Sequence, residues 1–270
     1  MHEKPIRITQ PDVLDIPVLK RIWMDTFGDP PELIEAFFDR FPPARSGWIV
    51  CCGDEILSTA YLMLGNSLMH GDQTHAAAYV YAVATPTEHR GKGYAGMLMW
   101  HFAQIAEERK LLLYTRPANE SLFHWYAKTM HTVPAAPLSL RQIAAKKSAD
   151  LPSVQKISST DYGCMREAFL SALPHIILSE EFFSLQEFYL EAENGGYYSV
   201  NGGICACEVH GVTLVVKELL ARDDDEVVQA LMQYFKVSKA QFFAPSASGK
   251  AQVAYRGAAQ SHTNWGLLLD

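Results

Sequence analysis

The chain has 270 residues, of which 49% are hydrophobic and 20% charged, a composition typical of a soluble globular protein with one large or two medium-sized domains. It contains no run of about 18 apolar residues, and its first residues lack the apolar core of a signal peptide, so we expect neither a membrane partner nor a secretory leader. The formal net charge of −7 argues against a nucleic-acid partner and fits a cationic ligand.

Hydrophobic periodicity predicts the elements of the first half. A short strand precedes two helices, which are separated by the breaker Gly28-Asp29-Pro30-Pro31. A hairpin across Gly53-Asp54, a loop over residues 65–73 and a strand–turn–helix–strand–helix series follow. The predicted strands are 6–9, 47–52, 56–64, 79–85 and 111–114, and the predicted helices are 15–27, 32–41, 94–110 and 120–130.

The stretch over residues 79–96, YVYAVATPTEHRGKGYAG, predicts an anion-binding turn. Its strand ends at Pro86, which cannot donate to a ladder. The turn from His89 to Gly93 contains two glycines and two fixed positive charges, and a helix begins after it. Glycines let the backbone approach an anion, while the unpaired N–H groups and the helix dipole attract it.

Three kinds of phosphate loop could fit this turn. A Walker A loop needs GxxxxGK[ST], which does not occur. The dinucleotide fingerprint GxGxxG occurs from Gly91 to Gly96, but Pro86 and its neighbours separate it from its strand. The next strand ends in Tyr114-Thr115-Arg116, without the carboxylate that this fingerprint requires. The string Arg90-x-x-Gly93-x-Ala95 fits a third loop better.

That string resembles the [RQ]xxGx[GA] pyrophosphate loop of the GNAT superfamily of acyl-CoA-dependent N-acetyltransferases. A second segment, NESLFHWYAK from Asn119 to Lys128, is similar to the NExxxxFYxKxG[FY] segment of that family, with Trp125 in place of Phe. The predicted order β-α-α-β-β-β-α-β-α is also similar, so the resemblance covers about residues 5–134. The chain departs from the pattern at Met130-His131. This departure affects the turn that follows the helix and not the residues assigned to the chemistry.

The resemblance implies a mixed, mainly antiparallel sheet flanked by helices, and acetyl-CoA as co-substrate. The N–H groups of the loop would bind the pyrophosphate, with Arg90 and Lys92 supplying charge. Two parallel strands would part at residues 83–85 and offer backbone groups to the pantetheine arm and the acetyl carbonyl. The implied cofactor-binding residues are Val83, Ala84, Thr85, Arg90, Gly91, Lys92, Gly93, Tyr94, Ala95, Gly96 and Asn119.

Two of the matched side chains have a second interpretation. Asn119 begins a helix and is at least as well explained as an N-cap; the resemblance adds a cofactor contact. Tyr126 matches the position whose hydroxyl lies near the sulfur, and a phenol with a pKa of about 10 can donate to a thiolate. The alternative is an aromatic residue packed beside Phe123 and Trp125. We favour Tyr126 as the general acid.

The general base is not identifiable. Glu88 is best explained as a surface charge. His75, Tyr79 and Tyr81 share strand parity with Val83, so they either line the acceptor pocket or pack in the core. His124 lies two residues from Tyr126, on a different face of the helix.

Five cysteines without a CxxC pair predict reduced thiols in a cytoplasmic protein. Cys205 and Cys207 could form half of a metal site, but no matching Cys or His pair lies nearby. Alternate positions on a strand explain them better, so no metal is expected. The sequence leaves open whether the chain forms a homo-oligomer.

The second half repeats the predicted order of the first. A strand over 138–144, in either sheet, and a polar loop over 145–153 lead into an α-α-β-β-β-α-β series. The predicted helices are 161–173, 179–193 and one that ends at 235, and the predicted strands are 197–200, 204–209, 212–220 and 240–244. The turn equivalent to the basic loop is Arg222-Asp223-Asp224-Asp225-Glu226, whose carboxylates stabilise a helix N-terminus and repel a pyrophosphate.

The sequence therefore predicts an α/β (α+β) protein with two GNAT-like domains in tandem. Residues 1–135 would be the catalytic domain that binds acetyl-CoA. Residues 136–270 would be a degenerate domain that lacks a cofactor site and walls the acceptor pocket. In multi-domain members that the second half resembles, the C-terminal carboxylate can act as base; whether Asp270 does so stays open.

The expected activity is direct transfer of acetyl from acetyl-CoA to a primary amine of a small-molecule cationic acceptor. A non-catalytic acyl-CoA-binding sensor and a protein-lysine acetyltransferase remain alternatives, because a fold does not fix its substrate.

Overall fold

A computed structural model of the chain describes residues 5–146, 152–259 and 263–269. These residues form two compact units. The first comprises residues 5–135 and 253–259, and the second comprises residues 136–146, 152–252 and 263–269. The division after residue 135 coincides with the predicted domain boundary. Residues 253–259 differ from that prediction, which placed everything after residue 135 in the second domain.

Local capping signals explain where the helices of the first half begin and end. Asp12 and Asp15 form a reciprocal capping box, and Gly28 ends the first long helix in the left-handed conformation, with φ 77°. The elements are β1 (Ile6–Thr9), α1 (Ile16–Phe27), α2 (Pro31–Arg40), α3 (Pro43–Ser46), β2 (Gly47–Cys52), β3 (Glu55–His70), β4 (Gln73–Ala84), α4 (Tyr94–Arg109), β5 (Leu112–Thr115) and α5 (Glu120–Met130).

Side-chain caps begin the helices of the second half. Ser158, Ser179 and Asp223 each accept a hydrogen bond from the first turn of the helix that follows. The elements are β6 (Val133–Ala144), β7 (Val154–Ile157), α6 (Ser159–Leu170), β8 (His175–Ile177), α7 (Glu180–Ala192), β9 (Gly196–Val200), β10 (Gly203–His210), β11 (Thr213–Leu220), α8 (Asp224–Phe235), β12 (Lys239–Pro245) and β13 (Lys250–Arg256).

The sheet of the first unit has the strand order β1-β2-β3-β4-β5-β13. Only β4 and β5 run parallel, as expected for strands joined by a helical crossover. Strand β13 pairs antiparallel with β5, with Ala254 opposite Thr115 and Arg256 opposite Leu113. The sequence did not predict this strand, because its pairing partner lies in the other half of the chain.

The sheet of the second unit has the order β7-β9-β10-β11-β12-β6, and only β11 and β12 run parallel. Strand β6 pairs antiparallel with β12, with Leu138 opposite Pro245. Residues 138–144 therefore belong to the second sheet. Both sheets are mainly antiparallel and contain the same strand–helix–parallel strand arrangement, which confirms the predicted fold class.

The two faces of the first sheet bury different kinds of side chain, because successive strand residues point to opposite faces. One face packs aliphatic residues of β3 and β4 against α4 and α5. The other face packs tyrosines of β3 and β4 against aromatic residues of α1 and α2. This second cluster contains Trp23, Phe37, Phe38, Tyr61 and Tyr81.

The predicted loop over residues 65–73 is wrong. Strand β3 continues to His70 and β4 begins at Gln73, so only Gly71 and Asp72 form the turn. Gly65, with φ 100°, lies within an irregularity of the β3–β4 pairing. A glycine inside a strand thus marks a bulge here rather than a loop.

Within the described ranges, no helix is both long enough and apolar enough to cross a membrane.

Replacing Trp23 tests the aromatic core. Its side chain is 2% exposed and its ring contacts five others, so Trp23→Ala should lower the free energy of unfolding by about 3–5 kcal/mol in urea denaturation. Trp100 is 59% exposed on α4, and Trp100→Ala should change that free energy by less than about 0.5 kcal/mol. Equal losses in the two variants would contradict the described packing.

Candidate functional site

The turn between β4 and α4 leaves open space in front of two glycines. A single 3-10 turn (Thr87–His89) follows Pro86, and Gly91 and Gly93 then adopt left-handed conformations with φ 77° and 86°. Both glycines are exposed, and a Cβ atom added to either would meet nothing within 4 Å. A backbone that is exposed, left-handed and free of side chains can approach a ligand closely.

Helix α4 begins at this turn without a side-chain cap. Its N-cap is Gly93, and no described side chain accepts a hydrogen bond from its first turn, whereas α5 to α8 each have such a cap. The N–H groups of Tyr94, Ala95 and Gly96 therefore form a positive helix end that a ligand can bind. The exposed side chains of Arg90 and Lys92 add positive charge. Together they suit an anion such as pyrophosphate.

Two side chains fix the end of β4 ahead of this turn. The Arg90 Nε atom donates to the Thr85 carbonyl at 3.0 Å. The Ser58 hydroxyl donates to the Ala84 carbonyl at 2.9 Å and lies 2.9 Å from the Thr85 hydroxyl. Arg90 is thus partly engaged in holding the strand end. The other N–H donors of the Arg90 guanidinium can bind a phosphate.

Strands β4 and β5 part before they end. Their parallel register runs from Ala77 opposite Leu112 to Tyr79 opposite Tyr114, and β4 continues to Ala84. Across β3 the pairing of β4 is also irregular, since the register shifts before Ala84 and Ala82 is left-handed with φ 46°. Residues 82–84 therefore form a bulge that turns the backbone next to the opening between the strands.

The hydroxyl of Tyr126 interacts with Thr115, the last residue of β5. Thr115, at the end of β5, donates its hydroxyl to the Val80 carbonyl of β4 at 2.8 Å. The Tyr126 side chain is 6% exposed, and burial raises its pKa to about 12, while a hydrogen bond with the Thr115 hydroxyl lowers the pKa in part. Tyr126 therefore keeps its proton at neutral pH and can act as a donor. Its ring also packs in the core, against Trp125.

Asn119 caps helix α5. Its Oδ1 atom accepts from the Leu122 N–H at 3.2 Å and from the Ser121 hydroxyl at 2.7 Å. The N-cap interpretation is therefore the one that the geometry supports. A cofactor contact, which stays a prediction, would have to use the Nδ2 group.

A cleft of about 320 Å³, lined by more acidic than basic residues, borders the same turn. Its walls are α1, the turn between β2 and β3, and the segment from Pro86 to Arg90. It is lined by the carboxylates of Asp25, Asp54, Glu55 and Glu88, by the guanidiniums of Arg21 and Arg90, and by His89. The His89 Nε2 atom lies 3.1 Å from the Glu55 carboxylate. With four carboxylates against two guanidiniums, the cleft favours a cation.

The other candidate side chains of strand β4 lie apart from the opening or in the core. His75 is exposed near the tip of the β3–β4 hairpin, opposite Leu68. Tyr79 is 1% exposed and packs against Tyr81 and Tyr114, and burial raises the pKa of its phenol. None of these geometries identifies a base. The terminal Asp270 lies outside the described residues.

Sequence reasoning missed Ser58, Thr115 and the acidic cleft. Ser58 and Thr115 are single hydroxyl residues in otherwise apolar strands, which is a weak but real signal, because a polar group buried in a strand needs a partner. Asp25 and Glu55 gave no signal, since they are separated by about 30 residues and converge only in the folded unit.

The equivalent helix end in the second unit is closed. Helix α8 starts at Asp224, and the Asp223 side chain accepts from the Glu226 N–H at 3.0 Å. Burial raises the pKa of Asp224, and Arg141 opposes this shift. Its own carboxylates thus cap this helix, in contrast to the open, basic start of α4.

No group of three or more His, Cys, Asp or Glu side chains in the described part of the chain is placed to hold a metal. Cys205 and Cys207 are buried in strand β10, and burial raises the pKa of the Cys205 thiol.

Comparisons with known proteins agree with this geometry. A family model described as an acetyltransferase (GNAT) domain matches residues 8–126. No curated protein matches the sequence.

Many solved structures share the fold, including the following three. A GCN5-related N-acetyltransferase from Kribbella flavida is 14% identical with a TM-score of 0.73, over 94% of this chain and 71% of that one. One from Anabaena variabilis is 13% identical with a TM-score of 0.71, over 93% and 72%. One from Sphaerobacter thermophilus is 12% identical with a TM-score of 0.54, over 96% and 98%.

The matched range of the GNAT acetyltransferase family model, residues 8–126, contains both motifs on which the predicted resemblance rests. It also includes the open turn, the parting of β4 and β5, and Tyr126. The solved structures share the fold over most of the chain.

Proposed function

We propose that the protein is an N-acetyltransferase that moves acetyl from acetyl-CoA directly onto a primary amine of a small cationic acceptor. One observation carries the proposal: three features of the first unit are each connected to the second half of strand β4. These are the open basic turn before α4, the parting of β4 and β5, and the Tyr126 hydroxyl beside Thr115.

The turn fits the phosphates of acetyl-CoA. The space in front of Gly91 and Gly93 admits an anion, and the first N–H groups of α4 supply donors that no described side chain caps. Lys92 and the remaining donors of Arg90 add charge. The backbone of residues 83–85 then lies where the pantetheine arm would pass, because β4 has parted from β5 before it reaches these residues.

Tyr126 is proposed as the general acid toward the departing sulfur. Acetyl-CoA supplies the thioester; the new C–N bond replaces the C–S bond, and the proton lost by the amine balances the one gained by the thiol. A phenol with a pKa of about 12 holds its proton more tightly than a thiolate, whose conjugate acid has a pKa of about 8.5. We therefore expect Tyr126 to stabilise the developing thiolate mainly through its hydrogen bond.

The acidic cleft supports a cationic acceptor. It borders Pro86, which directly follows the residues 83–85 proposed to face the acetyl group, and its four carboxylates exceed its two guanidiniums. Ammonium groups beyond the reacting amine would be attracted there. Polyamines, which carry several ammonium groups on a flexible chain, match this shape and charge.

Two alternatives predict different results. A non-catalytic sensor would bind acetyl-CoA but release no thiol with any amine. A protein-lysine acetyltransferase would acetylate basic peptides and leave small amines unreacted. We place the reaction in the cytoplasm, since all five cysteines are unpaired, and the proposal requires neither nucleic acid nor membrane.

Gly93→Ala tests the phosphate turn, and Gly71→Ala is its matched control. Both glycines are left-handed and open to solvent, so each alanine should cost about 1–2 kcal/mol of stability for the same conformational reason. Only Gly93→Ala places a methyl group in front of the turn, so its Kd for acetyl-CoA in calorimetric titration should rise at least tenfold. Equal affinities in the two variants would rule out this turn as the binding site.

Tyr126→Phe tests the donor. Packing is retained, so we expect an unchanged Kd for acetyl-CoA and a loss of about 100-fold in kcat, measured as thiol release. Tyr234→Phe, which removes an exposed phenol from helix α8 of the second unit, should leave kcat within about twofold. A Tyr126→Phe enzyme with full activity would refute the assignment.

The double variant Asp25→Asn/Glu88→Gln tests the acceptor cleft. Removing two exposed carboxylates should raise KM for spermidine by roughly 3- to 10-fold, while kcat stays within about twofold. The effect on KM is modest because each exposed ion pair between a carboxylate and an ammonium group contributes little by itself. Glu32→Gln, an exposed change on α2 outside the cleft, is the control. An unchanged KM in the double variant would place the acceptor elsewhere.

A further inference from the structure

Ser58 is a fully buried residue of β3 that lies beside the end of β4. Its hydroxyl donates to the Ala84 carbonyl at 2.9 Å and lies 2.9 Å from the Thr85 hydroxyl. A hydroxyl carries a single proton. Because Ser58 gives its proton to the Ala84 carbonyl, Thr85 is the donor in the second contact. One buried oxygen thus binds two consecutive residues at the end of β4.

The pairing of β3 and β4 explains why a side chain is needed at this place. Thr59 faces Ala84 and Tyr61 faces Tyr81, so two residues of β4 oppose a single residue of β3. Such a bulge interrupts the ladder and leaves main-chain groups that need other partners. Because a buried carbonyl without a donor is unfavourable, the Ser58 hydroxyl stabilises the bulged end of the strand.

The hydrogen bonds around Thr85 leave one main-chain group for a ligand. The Thr85 carbonyl accepts from the Arg90 Nε atom at 3.0 Å, and the preceding carbonyl, that of Ala84, accepts from Ser58. Pro86, which follows, has no N–H. The Thr85 N–H donates to none of the residues that the structure describes. Both carbonyls are therefore occupied, and this N–H is the donor that a ligand can use.

The peptide bond fixes the direction of that N–H. The Ala84–Thr85 peptide is trans, since no bond in the described part of the chain is cis, so its C=O and N–H groups point in opposite directions. The carbonyl points to Ser58 on β3, and the Thr85 N–H therefore points away from β3. Strand β5 is the neighbour of β4 on its other side, and its register with β4 stops at Tyr79. The N–H thus points to the side of β4 that β5 has left.

We propose that Ser58 is a positioning residue for acetyl transfer, because its hydroxyl holds the Ala84–Thr85 peptide so that the Thr85 N–H donates to the thioester carbonyl. This inference rests on the proposed function, which brings the thioester to residues 83–85. As the amine forms the C–N bond, negative charge develops on the carbonyl oxygen, and a preoriented N–H stabilises it. The charge returns to the carbonyl bond when the C–S bond breaks and the thiolate leaves. Ser58 acts through the peptide and does not itself touch the ligand.

Ser58→Ala tests the positioning role, and Ser46→Ala is its matched control. Ser46 is a buried residue of α3 whose hydroxyl donates to the carbonyls of Phe41 and Pro42 at 2.9 and 3.1 Å. Each variant loses a buried bond between a hydroxyl and a carbonyl, so both should lower the urea midpoint of unfolding to a similar extent. Only Ser58→Ala should lower kcat for thiol release, by about tenfold, because the N–H is retained but no longer held in place. KM for acetyl-CoA should stay within about twofold in both variants, since the phosphate turn is unchanged.

Amide NMR of the unaltered protein supplies a second measurement that needs neither a variant nor an acceptor. Acetyl-CoA should move the Thr85 N–H proton signal downfield, because the N–H gains an acceptor in the acetyl carbonyl. CoA binds through the same phosphates but lacks the acetyl group, so it should leave this signal near its position in the free protein. In Ser58→Ala the downfield shift with acetyl-CoA should be lost or reduced.

The results separate this inference from the proposed function. If the natural chain binds no acetyl-CoA, or releases no thiol with any amine, the proposed function fails and the role of Ser58 fails with it. If the natural chain is active and Ser58→Ala keeps its full kcat, the positioning role alone is overturned. An equal response of the Thr85 N–H signal to acetyl-CoA and to CoA in an active enzyme would also overturn it.

Discussion

The parting of β4 and β5 is the constraint on which the candidate site depends. Parallel strands satisfy their N–H and C=O groups mutually, and the register of this pair stops at Tyr79 and Tyr114 although β4 runs five residues further. A bulge at Ala82 turns the backbone, while Ser58 and Arg90 hold the carbonyls of Ala84 and Thr85. These local bonds keep the opening from closing.

The chemistry follows from what surrounds the opening. The turn that leaves β4 carries positive charge and an uncapped helix end, and Tyr126 reaches the opening from α5 through Thr115. In the proposed reaction, anion binding and proton donation are thus placed on two elements that flank one gap. A phenol is suited to this place, because burial keeps it protonated where a carboxylate would need a partner.

Much of this arrangement could be predicted from sequence, because it is local. The strand, turn and helix around Gly93 are contiguous, and the Asn119 to Lys128 segment fixed the register of Tyr126. The remaining features depend on distant pairings. Ser58 meets Ala84 and Thr115 meets Val80 only in the sheet, and the cleft joins Asp25 to Glu55. Gly65 predicts a loop from sequence alone, because a bulge and a turn share the same residue preferences.

Strand β13 has a consequence for how the chain is synthesised. The first sheet ends with a strand that leaves the ribosome roughly 140 residues after β5, its partner. At a synthesis rate of about 5–20 residues per second, the edge of β5 waits on the order of ten seconds or more before Ala254 can cover it. During that interval the first unit of the nascent chain presents an uncovered strand edge, a feature that favours pairing with other chains and aggregation. In a fragment that ends after residue 135, β5 never gains this partner strand and its edge stays uncovered.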